Sequence, residues 1–580
     1  MWRLKGDAMY LRKIHVENYR NLENLELSFH HDVNYFVGEN AVGKSNFLDL
    51  LQTITMGYGF LENDFTHVNR PVRITMTLAF SELEGRLDTN NEWLHVPEEV
   101  TIRLEQVIQE VYPRVYIMKG NDLEPVSLSL LRHALYVCHR DTSEKEFFDI
   151  PAHVYHELGQ LMVEKMPDHL NDQVILSMSR SLFDEKMDMD PNCSMNIRRL
   201  IELLDTRAEA ELEKKYTIDN VRLIMAVASK LVAQIYMKVH SAATNLESLI
   251  ITTADGKRFL PIFISVDEPE LHLSPYLQRA VLNYYRQIAT NENKPFLQLL
   301  KMLFNIDGLL GQLFIVTHST DALVDDYRNI IRLYRNETGV VRGACGVTFQ
   351  FPREVEKHLI MHFPEAKEAL YSRCIILVEG ETEYGSFSGF AKHIGVDFDY
   401  YGICLINARG EASIAKLNKL FRSFSIPTVA LYDKDVQDRH GKVNPDVFYT
   451  DEICYEMDLV AHLLKTKNRS VMDAIVRDLV EDGSGTVTKD MLRRGMGKLG
   501  ITHSQIVPRK LKNISDRRID DLLLYYFSWF FSNKGVIVGR RISTYLTAAM
   551  IPPVFKSVIE RARELSLGSQ FVLKKPIDSD

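Results

Sequence analysis

No Cys-x-x-Cys pair occurs in this chain. Its six cysteines, Cys138, Cys193, Cys345, Cys374, Cys404 and Cys454, are scattered along 580 residues. That scatter argues against a zinc site and for the reduced thiols of a cytoplasmic protein. Long apolar runs are also missing. None approaches the ~18 residues of a membrane-crossing helix, so no membrane partner is expected. The opening stretch "MWRLKGDAMYLRKI" has no apolar core of signal-peptide length. Met9 offers an alternative start, because regular patterning begins at Tyr10. There is no internal repeat and no low-complexity segment. A surplus of positive charge is missing too: 69 Lys and Arg stand against 78 Asp and Glu, a net charge of −9. A nucleic-acid partner is therefore not announced by the whole chain, and any basic surface has to be local. Clustered acids that bind metals would shift the balance the same way.

What is present is material for several globular cores. Hydrophobic residues make up 46% of the chain and charged residues 25%, and the length suggests about three or four domains. "YLRKIHVENYRNLENLELSFHHDVNYFVG" alternates like strands joined by a turn, as do "VRITMTLAF" and "EEVTIRLEQVI". These place an N-terminal lobe over 1–145. Residues 146–245 are helical in pattern, clearest in "RRLIELLDTRAEAELEKKY", and read as an insertion whose charged face is either solvated or a dimer interface. A second lobe, 246–345, holds two buried strands, "LPIFISVDE" and "QLFIVTHS". After a linker at 346–370, a fresh run of short apolar strands alternating with helices begins at Tyr371. It predicts a second, parallel sheet over 371–480, followed by a helical C-terminal part, 481–580. The fold class is therefore α/β.

The first constellation is "GENAVGKS", Gly38 to Ser45, between a strand and a helix. In such a loop the backbone N–H groups around Gly38, Asn40 and Gly43 wrap phosphates, and the helix N-terminus faces them. Lys44 would reach the β and γ phosphates of ATP, and Ser45 would ligate Mg²⁺. "IFISVDE" supplies Asp267 near that ion and Glu268 to activate water. His318, at the end of the next buried strand, fits a γ-phosphate sensor. Together with the "VENYRNLENLEL" opening, these motifs resemble an ABC-type ATPase head of the recombination and chromosome-maintenance kind. The resemblance implies dimerisation, with each nucleotide closed off by a signature loop of the other subunit. The candidate loop here, Thr217 to Met225, lacks the usual glycines. This departure counts against ATP-driven closure and fast hydrolysis, and leaves slow hydrolysis, or ATP used as a regulatory ligand, as open readings.

The second constellation is "CIILVEGETEYG". An apolar strand delivers Glu379 and Gly380 at its carboxyl end, where α/β sheets place their chemistry. Glu383 follows one helical turn on. "IPTVALYDKDV" ends another strand in Asp433-x-Asp435, and alternate residues of an extended strand share a face. Clustered carboxylates repel unless a cation sits among them, and hard oxygen ligands select Mg²⁺ or Mn²⁺. The pattern resembles a Toprim domain. A head followed by Toprim resembles the OLD (overcoming lysogenization defect) family of nucleases, the group that includes the Gabija A subunit and retron-associated members. That resemblance adds Glu456 and Asp458 in "YEMDLV" to the metal ligands, a late Lys534 to the catalytic groups, and a backbone role for Gly410. It implies an ATP-regulated, metal-dependent DNA endonuclease in antiphage defence. The metal ligands would be Glu379, Glu383, Asp433, Asp435, Glu456 and Asp458.

Further expectations follow for partners. A homodimer or homotetramer would bring two nuclease sites to a duplex, gripped by "RRGMGK" at 493–498 or "GRR" at 539–541. A helicase-like partner, or a retron reverse transcriptase with its DNA product, is compatible. Two other readings stand beside this one. A non-catalytic ATPase could use the Toprim fold as a scaffold. A topoisomerase-like strand passer would need a nucleophilic tyrosine in a separate DNA-binding domain, and no region resembles one.

Overall fold

The computed structural model describes residues 10–79, 99–120, 122–128, 131, 134–140, 157, 161, 231–237, 249–252, 256–270, 274–323, 326–353, 355–356, 363–439, 444–480, 485–502 and 507–568. The expected helical insertion at 146–245 lies outside them except for residues 157 and 161 and a helical stretch at 231–237. The candidate signature loop, Thr217 to Met225, lies wholly outside. The chain divides into two compact units. One comprises residues 1–336 and 340–349, the other 350–580 with 337–339.

The first unit is built on two sheets. Strands β1 (Tyr10–Glu17), β2 (Leu25–Ser28), β4 (Val72–Ala79), β5 (Glu99–Gln106), β6 (Arg114–Lys119) and β7 (Asp122–Val126) form an antiparallel sheet in the order β2-β1-β4-β5-β6-β7. The alternating burial of β2, β4 and β5 follows from having one covered face. The second sheet takes β3 (Val33–Val37), β8 (Leu135–Arg140), β10 (Arg258–Asp267), β11 (Gly308–Val316), β12 (Ile330–Arg335) and β13 (Val341–Cys345) in the order β13-β12-β3-β11-β10-β8. The short β9 (Ile251–Thr252) pairs with β10. Strands β12, β3, β11, β10 and β8 run parallel. Every residue of β3 is buried, as expected for a parallel strand covered on both faces. Helix α1 (Lys44–Met56) follows β3 directly, and α2 (Pro275–Ala289) and α3 (Lys294–Phe304) lie between β10 and β11.

Phe29, Phe36, Phe47 and Phe314 fill the space beneath α1, with ring centroids 4.8 Å apart for Phe36–Phe47 and 5.6 Å for Phe29–Phe314. Gln312 is a polar side chain buried in this core. Gln312 on β11 accepts from Leu11 N at 2.8 Å and donates to Leu11 O and His30 O at 3.1 and 2.7 Å. A buried amide satisfied on both ends is tolerated, and here it pins β11 to β1.

The second unit holds a four-stranded parallel sheet, β15 (Ile403–Asn407), β14 (Cys374–Val378), β16 (Thr428–Tyr432) and β17 (Val447–Tyr449), in that order. Helices α4 (Glu381–His393) and α5 (Glu411–Ser423) follow β14 and β15. Helices α6 (Tyr455–Lys465), α7 (Arg469–Leu479), α8 (Lys489–Leu499), α9 (Ile519–Ser532), α10 (Val536–Tyr545) and α11 (Pro553–Leu567) complete it, with a small hairpin of β18 (Thr486–Val487) and β19 (Arg509–Lys510). One hydrophobic core runs from Cys374 through Tyr455 and Trp529 to Ala562. The sheet region and the C-terminal helices are thus one folding body rather than a domain and an appendage.

Glycines bring α4 and α10 unusually close. A Cβ on Gly385 would lie 2.3 Å from Val536 O, and one on Gly539 would lie 2.2 Å from Thr382 O. No side chain fits in either gap. The "ETEYGSFSGF" glycines are therefore contact residues, and the contact fixes the loop that carries Lys534.

Candidate functional site

The register of the first sheet assembles the nucleotide motifs. Asp267 pairs with Val316, and Val316 with Phe36. The carboxyl ends of β10, β11 and β3 therefore lie level and side by side, and "DE", "THS" and the glycine loop start from one edge. Gly38 has φ +132°, and a Cβ there would meet Leu333 O at 2.2 Å, so only glycine fits. Gly43 (φ +113°) precedes α1. Asn40 and Ser45 are exposed, as phosphate and metal contacts require. Lys44 is buried and folded back, donating to Gly38 O and Glu39 O at 2.9 Å each. Burial pulls its ammonium down to about 8, against the opposing pull of Asp267, Glu268 and Glu270.

Asp267 ends β10 and is buried. Glu268 takes a left-handed φ of +51°, with its N–H on Val316 O at 2.8 Å. Its carboxylate lies 3.8 Å from His318 Nε2. Burial, then Lys44, lowers the His318 pKa, so the ring favours its neutral form. Two contributors were not picked out from the sequence. Glu270 accepts from Thr317 Oγ1 at 2.8 Å and from the His318 backbone N–H, which fixes the "THS" turn. Arg20 clamps the base of α1, donating to Asp64 Oδ1 at 2.8 Å, Asn46 Oδ1 at 2.9 Å and Asp49 Oδ2 at 2.7 Å. The "NYRN" turn of the opening motif thus braces the phosphate-loop helix. A third acid two residues after "DE" was the available signal for Glu270.

In the second unit the acids converge at the carboxyl edge of the sheet. Glu379 follows β14 and Asp433 follows β16, and these strands are neighbours. Glu379 Oε2 accepts from Asp433 N at 3.4 Å. Glu383, in the first turn of α4, and Glu456, in the first turn of α6, are both buried. A Cβ on Gly380 would lie 2.9 Å from Glu383 Oε2, so the glycine leaves room for that carboxylate. Lys534 Nζ stands 2.9 Å from Glu456 Oε2 and 4.5 Å from the centroid of the Phe531 ring. Gly535 N donates to Thr382 Oγ1 at 3.2 Å, holding that loop on α4. Gly410 N donates to the Glu379 carbonyl at 2.9 Å.

Mutual repulsion in a desolvated pocket shows in the acids' proton affinities. Burial, then Glu456 and Asp433, push Glu383 up to about 8. Burial, then Glu379 and Glu456, push Asp433 up to about 7. Burial also raises Glu379. Glu456 Oε1 is buried without a hydrogen-bond partner. A buried, unsatisfied carboxylate oxygen among repelling acids fits a divalent cation. Among the described residues, the three-residue group with ligand atoms all within 4.8 Å of one another is His30, His31 and Asp32 in the first unit. The carboxylates at this edge are more widely spaced and would draw together around an ion.

Two of the expected ligands are otherwise engaged. Both oxygens of Asp458 accept backbone N–H groups, from Asp451 at 2.9 Å and from Glu452, so this carboxylate shapes the turn before α6. Asp435 does not share an extended strand with Asp433. Strand β16 ends at Tyr432, residues 434–439 make a 3₁₀ turn, and Asp435 is half-exposed and ion-paired with Lys498.

A P-loop head with "DE" and "THS" at one sheet edge defines an ABC-type, ATP-binding ATPase domain, and the acid-edged parallel sheet defines a Toprim domain. Comparison with known families gives the particular kind. Residues 370–435 match the overcoming lysogenization defect protein-like TOPRIM domain, and residues 9–253 match an AAA ATPase domain. The chain is an ATPase head joined to an OLD-like Toprim domain, the make-up of a nuclease-type ATPase. The DNA replication and repair protein RecF of Bacillus cereus (strain G9842) is 28% identical over 159 residues, which is 26% of this chain and 38% of that protein. The match thus spans little more than a third of the relative. Among solved structures, the C-terminal region of the Burkholderia pseudomallei OLD protein aligns at 16% identity and TM-score 0.23, over 34% of this chain and 97% of that one. An Smc head bound to the C-winged helix domain of ScpA aligns at 12% and 0.33, over 58% and 97%. Among the described residues no helix is long and apolar enough to cross a membrane.

Proposed function

We propose that this protein is an ATP-regulated, divalent-metal-dependent DNA endonuclease that acts in antiphage defence, alone or as the effector of a Gabija-like or retron system. The observation that carries the reading is the gathering of Glu379, Glu383, Asp433 and Glu456 at one sheet edge, with Lys534 on Glu456 and one buried Glu456 oxygen unsatisfied. Non-catalytic scaffolds have no use for so much uncompensated charge, because each buried carboxylate costs stability. The name of the RecF relative supports DNA as the substrate class.

In this reading Glu379, Glu383, Asp433, Asp435 and Glu456 hold Mg²⁺ or Mn²⁺, which when bound activates water and steadies the leaving oxygen of a phosphodiester. Asp458 keeps the turn that presents Glu456. Lys534, held by Glu456 and the Phe531 ring, supplies positive charge where the phosphorane develops its negative charge. In the head, Lys44 leaves the loop carbonyls for the β and γ phosphates of ATP, with Ser45 and Asp267 holding its Mg²⁺. Glu268 orients water, and His318, set by Glu270, reads the γ-phosphate.

Supercoiled plasmid tests this. Wild type with Mg²⁺ or Mn²⁺ is expected to nick or linearise it. Glu379→Ala is expected to lose at least ~100-fold in rate, and Lys44→Ala to keep cleavage but lose its response to ATP. Cleavage by Glu379→Ala at the wild-type rate would sink the assignment. Plasmid left intact by wild type, with and without ATP and the proteins encoded beside its gene, would favour a DNA-binding ATPase with a Toprim scaffold.

A further inference from the structure

The 493–498 stretch is only partly explained by a general grip on DNA. Over residues 489–518, nine Lys and Arg face two Asp and Glu, a surplus of seven in a chain whose net charge is −9. Helix α8 carries much of this. Arg493 and Arg494 are exposed, and Arg494, Lys510 and Lys512 have no ion-pair partner among the described residues. The alternative basic stretch is less available, because Arg541 is held by Asp478 at 3.1 Å. Charge repulsion between unpartnered cations is unfavourable in the free protein and is relieved by a polyanion.

The two glycines of "RRGMGK" have different surroundings. Gly495 seats α8 against α9, since a Cβ there would meet Ser528 Oγ at 2.1 Å. Gly497 is exposed and a Cβ would meet nothing within 4 Å. An exposed glycine inside a helix costs ~1 kcal/mol relative to alanine, and no packing in the fold accounts for it. It leaves the helix backbone open to close approach from outside. The next residue, Lys498, turns from this surface into the acid cluster, where its ammonium pairs with Asp435 Oδ2.

We propose that α8 is the DNA-binding helix of the Toprim unit, and that Lys498 is its innermost phosphate contact, which serves in the metal-free protein as the resident cation of Asp435. The inference rests on the nuclease reading and adds an order of events to it. Asp435 exchanges the ammonium for a divalent cation, and the freed Lys498 takes a backbone phosphate that lies across Gly497. Metal loading and DNA engagement are thereby coupled through one side chain, and DNA held at α8 lies next to the acids that cut it.

The test uses the full chain with Lys498→Gln, Lys498→Arg, and Lys392→Gln as a charge control at the far end of α4. Mn²⁺ affinity is measured by calorimetric titration without DNA. Binding of a short fluorescein-labelled duplex is measured by anisotropy in Ca²⁺ across a salt series, and circular dichroism checks folding. Lys498→Gln is expected to bind Mn²⁺ about two- to fivefold tighter, because a competing cation is gone. Its slope of log affinity against log salt is expected to fall by about 1, and Lys498→Arg to restore it. Lys392→Gln should match wild type in both. A Lys498→Gln salt slope equal to wild type, or unchanged or weaker Mn²⁺ binding, overturns the proposal while leaving the nuclease reading in place. Wild type that binds neither Mn²⁺ nor DNA overturns both.

Discussion

At the scale of single residues, burial and mutual repulsion make ionisation costly for the acids of the second unit. Glu383 and Asp433 keep protons, up to about 8 and about 7, that the unfolded chain releases near 4.5 and 3.8. Between those limits the metal-free folded state binds more protons than the unfolded state, so its stability falls as pH rises through the window. The melting temperature in EDTA is therefore expected to drop between pH 5 and pH 8, and Mg²⁺ to raise it more at pH 8 than at pH 6. Glu383→Gln should flatten the EDTA profile, and a profile as steep as wild type's would refute this account of the pocket. Lys534→Met removes the cation beside a carboxylate that is 1% exposed. We expect a loss of ~1–3 kcal/mol by chemical denaturation, below the full cost of breaking a buried pair because Lys534 itself is 44% exposed.

At the scale of elements, close backbone packing places the chemistry. Gly539→Ala would drive a methyl group into Thr382 O and lever α10, and with it Lys534, away from α4. The expected result is a destabilisation of ~1–3 kcal/mol with a disproportionate loss of cleavage. Equal losses in Gly539→Ala and in a core variant such as Ile559→Val would show that α10 only adds stability. These spacings also mark the limit of what the linear pattern reveals. "CIILVEG", "IPTVALYD" and "GENAVGKS" are legible because a buried strand ending in glycine or acid is a local pattern. Asp435 was misplaced because strand alternation was carried past the strand's end at Tyr432 into a 3₁₀ turn. Lys498 and Glu270 act through partners 63 and 48 residues away, for which no local period exists.

At the scale of the molecule, each of the two units has its own core. Scanning calorimetry is expected to resolve two transitions, one raised by Mg-ATP and one by Mn²⁺ in a nucleotide-free sample. Lys44→Ala should cancel only the first shift and Glu379→Ala only the second. A single transition moved by both ligands would show that the units unfold as one. Head dimerisation belongs to this scale as well. On the proposed reading, in which nucleotide closes paired heads, Glu268→Gln with ATP is expected to sediment as a larger species than without it.

The amino-acid order alone made the phosphate loop and the strand-end acids legible, because each is written in contiguous residues whose spacing matches a strand, a turn or a helix, and the OLD-like arrangement came from the resemblance those motifs carry. It also made Lys44, Asp267, Glu379 and Asp433 candidates before any coordinates. The folded chain alone decided which acids meet, which carboxylate oxygen stays unsatisfied, and which of two basic stretches reaches the acid edge. The reason is that strand order, helix crossing and buried charge are set by contacts between distant segments. Such contacts lower the free energy only when the whole core closes, so no short stretch of residues carries their signature.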